Sequence, residues 1–135
     1  MKVAEAMTGS VATVAPDSTL KEAAEIMVKH DIGMLGVAIN KEIIGTVTDR
    51  DLSVNGAARG ADPRSVRVGD VMTPGVVSCP GDADLEKAAE LMQKNKIRRL
   101  MVTADRSAVG VLSLGDLARS SEDPELVSAT VKRVS

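Results

Sequence analysis

Shifting the chain on itself by 65 positions aligns residues 3–52 with residues 68–117 without a gap, and 17 of the 50 aligned pairs are identical. The identities include Met7-Thr8 with Met72-Thr73, Ala23-Ala24-Glu25 with Ala88-Ala89-Glu90, Gly45 with Gly110, and Asp51-Leu52 with Asp116-Leu117. A supersecondary unit repeated at such a period buries its apolar face against its twin. Half a chain of this size would bury only ~60% of its surface alone and would be marginal. Two repeats forming one module is therefore the expected organisation.

Within each copy the periodicity changes in the same order. Residues 11–14 and 76–79 are short β-branched-rich runs that stop at Pro16 and Pro80, which predicts a strand entering a turn. Leu20, Ala23, Ala24 and Met27, matched by Leu85, Ala88, Ala89 and Met92, fall on one helical face. Thr19 and Glu22 form a capping box at the start of the first helix, and Glu25 with Lys29 and Glu90 with Lys94 have the spacing of favourable pairs on the wet side. Two apolar runs follow, joined by Asn40-Lys41-Glu42 in one repeat and Asp105-Arg106-Ser107 in the other, and each pair predicts a strand hairpin. Second helices are expected over 49–54 and 114–119. The order per repeat is strand, helix, strand, strand, helix, an α/β fold of the α+β type. The boundaries are 1–60 for the first repeat, 61–67 for a linker, 68–121 for the second repeat and 122–135 for a tail. Pro124 after Asp123, with Leu126, Val127, Val131 and Val134 following, predicts a short helix in that tail.

Composition narrows the function. The chain has 44% hydrophobic and 27% charged residues and a net charge of −2, the profile of an ordinary globular unit with no basic field for nucleic acid. Phe, Tyr and Trp are absent, so the core must be aliphatic and no platform exists for stacking bases. Arg59, Arg64 and Arg67 form only a weak patch beside Asp62 and Asp70. The single cysteine, Cys79, has no intrachain partner, and the single histidine, His30, has no second imidazole with which to share a metal. The opening MKVAEAMTGSV is too interrupted by Glu5, Thr8, Gly9 and Ser10 for a signal-peptide core, and no stretch reads as a membrane span. A cytoplasmic, metal-free protein is expected. A catalytic role is not: His30 reads as a solvated residue at a helix end, Cys79 as a small core residue before a redox sensor, and there is no P-loop or nucleophile elbow.

The pattern resembles the tandem cystathionine-β-synthase (CBS) domain pair, or Bateman module, over almost the whole chain. The resemblance rests on V-x-[DE]-x-M-T at 3–8 and 68–73, T-L-x-E-A-A-x-x-M at 19–27, I-R-R-L at 97–100, and G-x-x-[ST]-x-x-D at 45–51 and 110–116. The runs HDIG at 30–33, TDRD at 48–51 and GADP at 60–63 are similar to small stand-alone members, and no appended enzyme or transporter domain fits in what remains. The family implies two repeats packed through their sheets about a pseudo-twofold axis. It also implies two clefts that take adenosine ligands such as AMP, ADP or ATP, a regulatory role toward an unidentified protein, and pairing of modules, here as a homodimer. Helix ends carrying Ala57, Ala58 and Ala118 would permit close approach of the two copies. Two departures stand out: Met101 and Gly36 replace the common proline after the R-R-L position, and the hairpin turns lack glycine.

The G-x-x-[ST]-x-x-D motif suits a nucleotide on physical grounds. Gly45 would let a ligand approach the backbone, the helix start at Thr48 presents unpaired N–H groups, and Asp51 can accept from both ribose hydroxyls. The competing reading makes Thr48 an N-cap and Asp51 a first-turn acid; the duplication and the resemblance favour the ligand. Carried over from the family, one cleft combines Thr8, Ala12, Thr48 and Asp51 with Arg98 and Arg99, whose guanidinium groups fork onto phosphate. The other combines Gly33, Met34, Thr73, Val77, Ser113 and Asp116, has no cation, and is expected to bind more weakly. No catalytic cofactor is expected, only AMP or ATP as a regulatory ligand. The alternative is a ligand-free interaction disc, with Met34 or Met101 plugging the charged cleft.

Overall fold

Val3 and Val68 open the two copies of the repeat, and each begins a single helical turn, Val3–Ala6 (α1) and Val68–Val71 (α3). The acid of the V-x-[DE] motif closes that turn: Glu5 Oε2 accepts from the Lys2 N–H at 2.9 Å, and Asp70 Oδ2 from the Arg67 N–H at 3.3 Å. Helix-start N–H groups that lack a carbonyl partner are satisfied in this way. The computed structural model describes residues 1–9, 11–105 and 107–135; Ser10 and Arg106, the latter at the expected tip of the second hairpin, lie outside the described residues.

Each turn leads into a two-residue strand, Thr8–Gly9 (β1) and Thr73–Pro74 (β5). These two strands pair across the repeats. β1 pairs antiparallel with the strand Ser107–Ser113 (β8), Thr8 opposite Val111, while β5 pairs with Glu42–Thr48 (β4), Pro74 opposite Gly45. The lead of each repeat thus completes the other repeat's sheet. By contact, the compact units are Ala12–Val76, and Met1–Val11 together with Val77–Ser135, a division that stands beside the expected repeats 1–60 and 68–121. Gly45 and Gly110 make this possible. A Cβ on Gly45 would lie 2.5 Å from the Thr73 carbonyl oxygen, and one on Gly110 would lie 2.6 Å from that of Thr8. The expectation that Gly45 opens the backbone to a ligand is corrected accordingly: its space is filled by the chain itself.

In the unit Ala12–Val76 the sheet order is β2-β3-β4-β5. Thr13–Val14 (β2) runs parallel to Met34–Ile39 (β3), which forms an antiparallel hairpin with β4. The hairpin turn places Asn40 at φ 51° and Lys41 at φ 70°. Helix Leu20–His30 (α2) starts at the expected capping box, with the Glu22 N–H donating to Thr19 Oγ1 and the Thr19 N–H to Glu22 Oε1. Its Leu20, Ala23 and Met27 join Val14, Leu35, Val37, Val47, Val68 and Val71 in an aliphatic core. On its wet face Glu25 pairs back to Lys21 and not forward to Lys29. The second helix differs from expectation: Asp51–Gly56 is π-helical and is followed by a 3-10 turn, Ala57–Arg59. Gly56 packs so closely there that a Cβ would lie 2.7 Å from Leu20 Cδ1.

The other unit has the sheet order β1-β8-β7-β6, with Ser78–Pro80 (β6) parallel to Arg99–Ala104 (β7). Helices Leu85–Asn95 (α4) and Leu114–Ser120 (α5) cover a core of Val3, Cys79, Leu85, Ala88, Ala89, Met92, Leu100, Val102, Leu112 and Leu117. Glu90 lies 3.9 Å from Lys87, again not paired with Lys94. The tail forms the expected helix, Pro124–Val134 (α6), capped by Asp123, which accepts from the Glu125 and Leu126 N–H groups. Leu126 and Val134 pack on the core of this unit, and buried Thr130 accepts from Gln93 Nε2 of α4 at 2.9 Å.

Candidate functional site

The two copies of G-x-x-[ST]-x-x-D each end a strand of a hairpin and turn into a helix, and in both the hydroxyl and the aspartate lock that turn reciprocally. The Thr48 N–H donates to Asp51 Oδ2 at 2.9 Å and the Asp51 N–H donates to Thr48 Oγ1 at 3.1 Å. The Ser113 N–H donates to Asp116 Oδ2 at 2.9 Å and the Asp116 N–H to Ser113 Oγ at 3.0 Å. The capping role weighed against ligand binding is therefore present in both copies. It leaves one oxygen of each carboxylate uncommitted to the cap, and these two oxygens differ. Among the described residues, Asp51 Oδ1 receives only a 3.4 Å contact from Asn55 Nδ2, whereas Asp116 Oδ1 receives Arg119 Nη2 at 2.5 Å.

Beside each cap stands the start of the preceding strand. Met34 lies opposite Thr48, and the Gly33 carbonyl accepts from the Asp49 N–H at 2.9 Å. Arg99 lies opposite Ser113, and the Arg98 carbonyl accepts from the Leu114 N–H at 2.7 Å. Both arginines are exposed. A carboxylate fixed by backbone N–H groups at a helix start, with a strand end next to it, can receive a polyol and hold it in one orientation.

A CBS domain family model matches residues 3–54 and again residues 68–123. The chain is a tandem pair of CBS domains. It is 35% identical over 133 residues to the CBS domain-containing protein YhcV of Bacillus subtilis, covering 98% of this chain and 94% of that protein. Hypoxic response protein 1 of Mycobacterium tuberculosis is 29% identical over 122 residues, 90% of this chain and 85% of that protein. Among solved structures, the hexameric CBS-CP12 protein from bloom-forming cyanobacteria aligns with a TM-score of 0.80 at 30% identity, over 90% of this chain and 72% of that one. The two mixed four-stranded sheets with their helices are the α+β fold of CBS pairs.

The residues assigned to the two clefts divide between the compact units of the CBS pair. Ala12, Gly33, Met34, Thr48, Asp51 and Thr73 belong to one; Thr8, Val77, Arg98, Arg99, Ser113 and Asp116 belong to the other. The expected partnership of Asp51 with Arg98 and Arg99 joins residues of different units. Thr8 and Thr73 are exposed on edge strands, and the carbonyls of Ala12 and Val77 accept from the Gly36 and Met101 N–H groups. Met34 is half-buried and Met101 buried. His30 is exposed at the end of α2, and Cys79 is fully buried in the slot matching Val14, where desolvation pushes its thiol pKa up. Of the linker arginines, Arg64 pairs with Asp62 at 3.3 Å and Arg67 Nη1 donates to the Asp17 carbonyl at 2.8 Å. Among the described residues no helix is long and apolar enough to cross a membrane, and no three His, Cys, Asp or Glu side chains converge as a metal site.

Two residues of the site escaped the sequence reading, Asn55 and Arg119. The repeat alignment carries a signal for the second, because Arg119 stands where the first repeat has Val54. For Asn55 the signal is its place four positions after Asp51, a spacing that puts two side chains on one helical face.

Proposed function

We propose that this CBS pair is a non-catalytic regulatory module that binds an adenosine nucleotide, AMP or ATP, and relays its presence to a partner protein. The observation that supports this is Asp51. Its carboxylate is half-buried, oriented by a backbone N–H and, among the described residues, without a partner at Oδ1 apart from the long Asn55 contact. Such a group accepts from the 2′- and 3′-hydroxyls of a ribose without first having to be ordered. In the reading we favour, Thr48 and Asp51 hold the ribose, Arg98 and Arg99 meet the phosphate, and Thr8 and Ala12 flank the base. Gly33, Met34, Thr73, Val77, Ser113 and Asp116 form a weaker second set. We further propose that the module is a homodimer joined through the exposed Ala57, Ala58 and Ala118. The hexameric CBS-CP12 protein supports the idea that such pairs assemble.

One observation favours the ligand-free scaffold as a second reading. Both Asp116 oxygens are already engaged within the chain, as a purely structural cap would have them. Mass spectrometry of small molecules released from the purified protein, followed by calorimetric titration with AMP, ATP and adenosine, separates the two. Binding of an adenosine compound is the expected result, and binding of none leaves the scaffold.

A further inference from the structure

The two aspartates occupy aligned positions and make the same 2.9 Å bond through Oδ2, so their difference lies at Oδ1 and in burial, Asp116 being buried and Asp51 half-buried. At Asp116 that oxygen is held by a guanidinium at 2.5 Å, and the carboxylate is only 10% exposed while Arg119 is 72% exposed. The side chains that follow the two aspartates account for this difference. α5 is α-helical, so the residue three positions on lies over the aspartate. Gly115 beneath it leaves room: a Cβ there would lie 3.2 Å from Arg119 Nη1. In the first repeat, where Asp51–Gly56 is π-helical, the residue four positions on, Asn55, approaches the carboxylate, while Val54, the counterpart of Arg119, has no polar group to offer and is 49% exposed.

We propose that Arg119 is the specificity-determining residue of the second CBS repeat: by holding the Asp116 carboxylate it shuts out neutral ribose hydroxyls and confines the ligand to the half carrying Asp51. This rests on the reading of the aspartates as ribose acceptors. A hydrogen bond between two ions is roughly twice as strong as one with a neutral donor, so hydroxyls that enter must strip away the stronger partner. In Asp51 they displace only a long amide contact.

Adenosine is the probe, because it carries no phosphate that Arg119 could contact directly. Calorimetric titration of the whole chain is expected to give one equivalent for the parent and two for Arg119→Ala, with affinity at the second site raised about tenfold or more, and an intermediate gain for Arg119→Gln. Asn55→Ala should change the first site by less than about threefold. Raising potassium chloride should strengthen second-site binding in the parent by screening the ion pair, and should leave Arg119→Ala unchanged. Because Arg119→Ala leaves the nearly buried Asp116 carboxylate without its ionic partner, its thermal midpoint should fall, and the titrations are made below that transition, where parent and variants are both folded. A parent that binds one equivalent, with Arg119 variants that gain none and show no change in salt response, overturns the inference while the nucleotide reading stands. A parent and variants that bind neither adenosine nor AMP overturn both.

Discussion

Gly45 and Gly110 show how a residue chosen for one reason is easily credited with another. A glycine at a strand end next to a hydroxyl and an acid reads as room for a ligand; the room is taken by the carbonyls of Thr73 and Thr8. Backbone cannot retreat as a side-chain tip can. Gly45→Ala should therefore destabilise the protein by about 1–3 kcal/mol, the usual range for forced overpacking. Gly9→Ala, whose Cβ meets nothing within 4 Å, should stay within about 0.5 kcal/mol in the same urea titration. Equal effects would show that the lead strands do not depend on the glycine. The aspartates also separate by their surroundings. Asp51→Ala should weaken AMP binding by about 2–3 kcal/mol, roughly 30- to 150-fold, if both ribose hydroxyls are engaged. Asp116→Ala should leave the tight site nearly untouched, because its free oxygen already belongs to Arg119. Titration of both variants against the parent tells whether the two carboxylates are equivalent.

Elements governed by local chemistry were legible in the chain. The faces of α2 and α4 follow from apolar spacing, the start of α2 from Thr19 and Glu22, and α6 from Asp123-Pro124. What local spacing does not encode is where a wide helical turn replaces an α-helical one. Asp51–Gly56 has the same apparent pattern as the start of α5, and its π form accompanies the packing of Gly56 on Leu20, 36 positions away by numbering. The first hairpin illustrates the opposite case. Without glycine its turn still holds two residues at positive φ, Asn40 at 51° and Lys41 at 70°. Asn tolerates that region; a lysine pays a steric cost of about 1–2 kcal/mol relative to glycine. Glycine gives back part of that gain because its unfolded chain is freer and loses more entropy on folding, so Lys41→Gly should stabilise the protein by a net of about 0.5–1 kcal/mol. A urea midpoint that falls would mean that Lys41 contributes contacts its exposed position does not suggest.

At the scale of the whole molecule, the repeat alignment groups residues by likeness, whereas the compact units group them by contact, and the two divisions differ by the leads 1–11 and 68–76. Pairing of Thr8 with Val111 spans most of the chain and leaves no periodic trace, which is why the exchange was not legible in advance. The proposed dimer is the property that belongs to this scale. Its basis is the run of small or apolar exposed side chains after the two capped turns: Val54, Ala57 and Ala58 in the first repeat and Ala118 in the second. Small residues let helices approach closely, and they lose little conformational freedom when covered. A specific interface buries about 800 Å² on each partner, roughly a tenth of the 8000 Å² surface of this chain. Sedimentation at ~10 μM, where an interface of that size should hold, is expected to give a species of twice 14.1 kDa. Ala58→Glu should shift it to the monomer without lowering the thermal midpoint of the monomeric fold, since Ala58 is exposed within the chain. A parent that sediments as a monomer removes the dimer, and a dimer indifferent to Ala58→Glu and Ala118→Glu places its interface on another face.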